Sequence, residues 1–73
     1  MSRPFDFLNN SIGKDIYVKL KEGIEIRGKL VAFDAHMNTV LEEAEEPHEG
    51  KLTKKVGKLI LRGDNILYIS PSS

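Results

Sequence analysis

DIYVKLKEGIEIRGKLVAF, residues 15–33, decides the fold. Over its first six residues Ile16, Val18 and Leu20 fall on one face, and Tyr17 and Lys19 on the other. That period of two is the mark of a half-buried strand. Glu22-Gly23 then punctuates the run as a turn. Ile24, Ile26, Gly28 and Leu30 share the next face, against Glu25, Arg27 and Lys29. Gly28 interrupts this second run, and glycine inside a strand marks a bend or a close backbone approach. Beyond it Leu30, Val31, Ala32 and Phe33 are apolar on both faces, so this half of the strand is expected to be buried on both sides.

Upstream, residues 3–12 read as a short helix. Pro4 suits a first helical turn, Phe5, Leu8 and Ile12 recur at helical spacing, and Gly13 is a C-terminal stop. Downstream, residues 34–38 break the strand pattern as a loop. Residues 39–41 resume a strand that fades into an acidic cluster of Glu42, Glu43, Glu45, Glu46 and Glu49. Pro47 and Gly50 mark a loop tip, and a basic run of Lys51, Lys54, Lys55 and Lys58 follows. The two charge clusters read as a solvated hairpin with salt bridges across its strands. Residues 52–61 form another strand, with Gly57 as a second bend. Arg62-Gly63-Asp64 is a tight turn, residues 65–69 a last strand, and Pro71 ends it. The expected architecture is all-β with one short N-terminal helix (3–12). A strongly bent five-stranded antiparallel barrel (15–69) completes a single domain over 1–73.

A chain of 73 residues makes one small domain. It buries only about 60% of the surface its unfolded form exposes, so stability needs a further source. No cysteine is present, which leaves oligomerisation as the common remedy. Ile66, Leu67, Tyr68 and Ile69 are nearly all apolar, as are Leu59, Ile60 and Leu61. A monomer exposing either strand as an edge would invite aggregation. Two arrangements remove that hazard: the barrel covers its own edges, or subunits pair edge to edge and close a ring. No apolar run approaches the length of a membrane span and no signal-peptide core is present, so a cytoplasmic location is expected. Lys plus Arg and Asp plus Glu are 11 each, giving no net charge. That balance excludes a polybasic nucleic-acid binder that relies on many phosphate contacts.

Two polar segments remain as candidate chemistry, residues 34–38 and Arg62-Gly63-Asp64. Taken singly, each is ordinary turn chemistry. Taken together they hold the parts for gripping one splayed base. His36 and Arg62 offer planes for stacking, Asn38 offers an amide to read an edge, and Gly63 allows close approach. No nucleophile accompanies Asp34 and His36, and no nucleophile elbow, phosphate-binding loop or zinc-protease motif is present. The expectation is a protein with no catalytic activity, no cofactor and no metal. His48 and its neighbouring glutamates read as solvated loop residues.

With these residues in place, the chain resembles the archaeal Sm-like proteins of the Sm/Lsm family. The first Sm motif is similar to residues 18–41, with Gly28 and Phe-Asp-Ala-His-Met-Asn at 33–38. The second is similar to residues 58–69, with Ile-Leu-Arg-Gly-Asp-Asn-Ile at 60–66. The resemblance implies an Sm-fold, SH3-like barrel capped by the helix. It also implies a homo-oligomeric ring, usually heptameric, in which the last two strands pair between neighbours. It implies one pocket per subunit for single-stranded U-rich RNA. There His36 and Arg62 would stack on the base, Asn38 would bond its edge, Asp64 would support Asn38, Gly63 would lie close, and Asp34 and Met37 would shape the loop. A second RNA contact on the helix-bearing face would involve Arg3 and Phe33, the latter serving either as a stacking surface or as core. Two uses follow: RNA processing or chaperoning, with RNA-processing proteins as partners, or a protein-interaction scaffold whose RNA binding is incidental.

Overall fold

The alternation at the start of the quoted stretch becomes β1 (Asp15–Leu20), with Ile16, Val18 and Leu20 buried and Tyr17 and Lys19 half-buried. The computed structural model describes residues 3–47 and 54–72. Helix α1 (Pro4–Ser11) precedes β1, and β2 (Glu25–Phe33), β3 (Thr39–Glu46), β4 (Lys54–Leu61) and β5 (Ile66–Pro71) follow. The loop tip at Gly50, the strand start at Leu52, and His48, Glu49 and Lys51 lie outside the described residues. Among the described residues no helix is long and apolar enough to cross a membrane.

The helix ends where the sequence placed its stop. Gly13 takes φ +86°, and its N–H donates to the Leu30 carbonyl at 2.8 Å, which ties the helix exit to β2. Of the apolar helix positions only Leu8 is buried, while Phe5 and Ile12 stay exposed. Ser11 takes the other inward position and donates its hydroxyl to the Phe7 carbonyl at 2.8 Å.

All strand pairs are antiparallel, in the order β4-β3-β2-β1-β5. The core is Leu8, Ile16, Val18, Leu20, Ile26, Leu30, Leu41 and Ala44. Each buried Val, Leu or Ile contributes about 1.5–3 kcal/mol relative to exposure. Gly28 lies where the register shifts between Arg27 and Lys29. A Cβ there would stand 3.1 Å from the Ala44 Cα, so its absence lets β2 and β3 approach at the bend.

Two expectations are corrected. The second half of β2 is not covered on both sides in the single chain: Leu30 is buried, but Val31 and Ala32 are exposed. Among the described residues no layer lies over that outer face. In addition, β3 does not fade at Leu41 but runs on to Glu46. The acidic residues are sustained by cations on β2. Arg27 pairs with Glu45 and Lys29 with Glu43, while Glu45 and Glu46 stand opposite Lys55 and Lys54 of β4. Arg27 is further held over the Tyr17 ring, 5.9 Å from its centroid, and its hydrogen bond with Glu45 raises the guanidinium pKa.

The strand order leaves β4 and β5 as the two edges of the sheet. β4 bonds only to β3 and β5 only to β1, so each presents an unpaired backbone face among the described residues.

Candidate nucleic-acid interface

The loop between β2 and β3 is built on one carboxylate. Asp34 accepts hydrogen bonds from the backbone N–H of His36 (2.9 Å), the backbone N–H of Asn38 (3.0 Å) and the Asn38 side-chain amide (3.1 Å). These bonds make a compact Asx-type turn and carry Met37 to φ +67°, an uncommon conformation for a residue with a Cβ. Thr39, fully buried, donates its hydroxyl to the Met37 carbonyl at 2.9 Å and fixes the exit into β3. The Asn38 side-chain hydrogen bond, joined by the two backbone N–H groups, holds the Asp34 carboxyl below its ordinary 3.8 despite some loss of solvent.

A group whose folded-state pKa is depressed contributes stability above its unfolded pKa and loses it as pH falls through the folded value. The stabilisation that the Asp34 carboxylate gives the turn is therefore full above pH 3.8 and is lost as pH falls further, through the lower folded-state value. Amide NMR signals of His36 and Asn38 are expected to titrate together with a midpoint under 3.8. A midpoint at or above that value contradicts the arrangement.

The two polar segments meet. The Gly63 N–H donates to Asn38 Oδ1 at 2.8 Å, across 25 residues of sequence. Gly63 begins a short 3-10 turn (Gly63–Asn65) between β4 and β5. Asn38 thereby has its oxygen engaged by Gly63 and one amide hydrogen engaged by Asp34. One N–H of its NH2 group remains, a donor with no acceptor among the described residues.

The expected support of Asn38 by Asp64 is not what the structure has. Asp34 orients Asn38, and Asp64 instead pairs with Arg62 at 3.4 Å. The reason is reach. Asp34 sits at the head of the same tight turn as Asn38, whereas Asp64 lies two residues from Arg62. Arg62 is 81% exposed on its side chain, so this pair is solvent-screened and holds it only loosely. Asn38 and Arg62 line one depression of about 480 Å³ together with Asp34, Ala32, Val40 and Ile60. His36 is exposed at the tip of the turn, and its carbonyl abuts Gly63. Met37 is half-buried against the core.

On the helix-bearing face, Phe33 meets Phe5 edge to face, with centroids 5.4 Å apart and rings inclined by 65°. Arg3 turns to its own helix, its backbone N–H donating to Asp6 at 3.4 Å. Phe33 is also half-buried and packed against the core. In the sequence Phe5 reads only as one of the apolar positions of the helix, with no role at the site. Its spacing from Leu8 suits an inward position, yet it is 61% exposed. Among the described residues no group of three or more His, Cys, Asp or Glu side chains is placed to hold a metal ion.

The LSM domain model matches residues 6–71. An snRNP Sm-like protein of Pyrococcus furiosus is 50% identical over 70 residues, spanning 96% of this chain and 92% of its own. The P. aerophilum SmAP1 heptamer superposes with a TM-score of 0.92 at 44% identity, covering 100% of this chain and 97% of that one. The Pyrococcus abyssi Sm protein in complex with a uridine heptamer superposes at 0.88 with 46% identity, covering 97% of this chain and all of that one. The fold thus recurs across chains that share close to half their residues, and this chain belongs to the LSM domain family.

Proposed function

We propose that the chain, acting over 1–73 as one unit, assembles head to tail into a homo-heptameric ring that holds short single-stranded U-rich RNA. Each subunit offers one base pocket. His36 and Arg62 stack on the base, Asn38 reads its edge, Gly63 and Asp34 fix the Asn38 amide, and Met37 and Asp64 support the two loops. Arg3 and Phe33, with Phe5, form a second contact on the helix-bearing face. The ring catalyses no reaction and serves RNA processing or RNA chaperoning in the cytoplasm, alongside RNA-processing proteins.

The observation that carries this reading is the Asn38 amide. Its oxygen and one hydrogen are engaged within the protein, so what it presents outward is a donor. A donor suits a base edge that carries a carbonyl acceptor, as uracil does, and opposes the exocyclic amine of adenine. The two open sheet edges support the ring, because each copy offers one edge of each kind and head-to-tail pairing uses both. The heptameric relative and the relative bound to a uridine heptamer support the ring size and the base.

The test is fluorescence anisotropy with labelled oligo(U), oligo(A) and oligo(C) of equal length at physiological salt. Oligo(U) is expected to bind more tightly than either other polymer. Equal or absent binding overturns the uridine pocket and moves the function to the faces of the ring as a protein scaffold.

A further inference from the structure

Thr39 is the first residue of β3 and is fully buried. It stands opposite Phe33, the last residue of β2, and opposite Leu61, the last residue of β4. It therefore sits at the root of both loops that carry the candidate site, residues 34–38 and 62–64. A hydroxyl placed in the core is a burden unless it is bonded. Valine has the same branched shape and suits a strand equally well, so packing alone asks for no oxygen at this position.

The oxygen has a use in the turn. Its hydroxyl donates to the Met37 carbonyl at 2.9 Å. That carbonyl and the Asn38 N–H belong to one planar peptide unit. The N–H end of the same unit donates to Asp34 at 3.0 Å. The peptide is thus held at both ends, by a carboxylate in front and a hydroxyl behind. It also lies where the two loops touch, since a Cβ on Gly63 would stand 2.9 Å from the Met37 carbonyl carbon. Met37 enters the peptide at φ +67°, a conformation that persists in a residue with a Cβ only when its surroundings over-determine it. Rotation of the peptide would take the Asn38 N–H off Asp34 and turn the Asn38 side chain with it.

We propose that Thr39 is a positioning residue for base selection, its hydroxyl fixing the direction in which Asn38 presents its free N–H. The inference rests on the base-pocket reading and deepens it. Thr39 touches no RNA. It acts through Asn38, whose aim separates a base edge carrying a carbonyl, as in uracil, from one carrying an amine, as in cytosine.

The experiment compares the parent chain with Thr39→Val, Thr39→Ser and Thr39→Ala. Each full-length variant is checked for ring mass by native mass spectrometry and for Tm by calorimetry. The readout is the ratio of oligo(U) to oligo(C) affinity from fluorescence anisotropy. Threonine against valine, and serine against alanine, each isolate the hydroxyl at nearly constant packing, so either pair decides the matter if one variant does not fold. Thr39→Ser deletes a packed methyl and is expected to melt lower, yet to keep the parent ratio. Thr39→Val and Thr39→Ala are expected to lower the ratio by about 2- to 12-fold per pocket, the net worth of one hydrogen bond. A ratio that follows Tm through the series instead of following the hydroxyl overturns the proposal and leaves Thr39 a core residue. A Thr39→Val protein with the parent ratio overturns it too, while the base-pocket reading stands. A parent chain with no preference for oligo(U) overturns the base-pocket reading itself, and this inference with it.

Discussion

Replacing Gly63 with alanine will remove oligo(U) binding and lower the melting temperature together. A Cβ at this position would overlap the His36 carbonyl oxygen, and would stand 2.9 Å from the Met37 carbonyl carbon and 3.0 Å from that of His36. These are backbone atoms of a turn already pinned by Asp34, so no side chain can swing aside to make room. Gly63 is not in the left-handed region, where Gly13, Gly23 and Gly57 lie. Its requirement is steric, and no change of its own φ relieves it. The 3-10 turn must move away, which breaks the bond from the Gly63 N–H to Asn38 Oδ1. Overpacking of this kind costs about 1–3 kcal/mol. At this chain length each kcal/mol lowers Tm by about 4–8 °C. Binding suffers because the Asn38 amide loses one of its two fixed partners, and each 1.4 kcal/mol of lost orientation is about tenfold in affinity. Calorimetry and anisotropy on the same sample check both halves. An alanine variant that melts and binds like the parent would show that the loops do not meet at Gly63.

Much of the fold is legible in the sequence because its signals are local. The alternation over 15–20 gives β1 its observed bounds, since nothing tertiary competes with a strict period of two. Gly13 and Gly28 mark a helix stop and a close approach from their positions alone. β3 is harder. A run of glutamates reads as loop, and what holds it as strand is a pair of cations some fifteen residues earlier on β2. The same separation divides the site. Asp34 as a turn residue is readable from residues 34–38, but its grip on the Asn38 amide, in place of Asp64, is a matter of side-chain reach. The bond between Gly63 and Asn38 spans 25 residues and has no local trace. The exposure of Phe5 and Val31 likewise depends on which faces the chain leaves uncovered, and that follows from the path of the whole sheet.

Removing one stacking plane is expected to cost far more with a long RNA than with a single nucleotide. Arg62 is held only by an exposed pair with Asp64, so swinging over a base gives up little in the free protein. Stacking on such a plane contributes about 1–3 kcal/mol per base. For a mononucleotide in one pocket, Arg62→Ala or His36→Ala therefore weakens binding by about 5- to 150-fold. In a ring every subunit carries the change. An oligo(U) that engages several pockets converts each further contact into an intramolecular one, so the losses compound along the strand. Even the lower value, about fivefold per pocket, compounds to about a hundredfold over three pockets. The parent chain should then gain affinity steeply as oligo(U) lengthens, while the Arg62→Ala ring shows a much flatter rise. Ring mass measured on the same samples separates this from disassembly. The same loss factor for one uridine and for seven would mean that the pockets act singly, and that the ring does not thread its RNA from subunit to subunit.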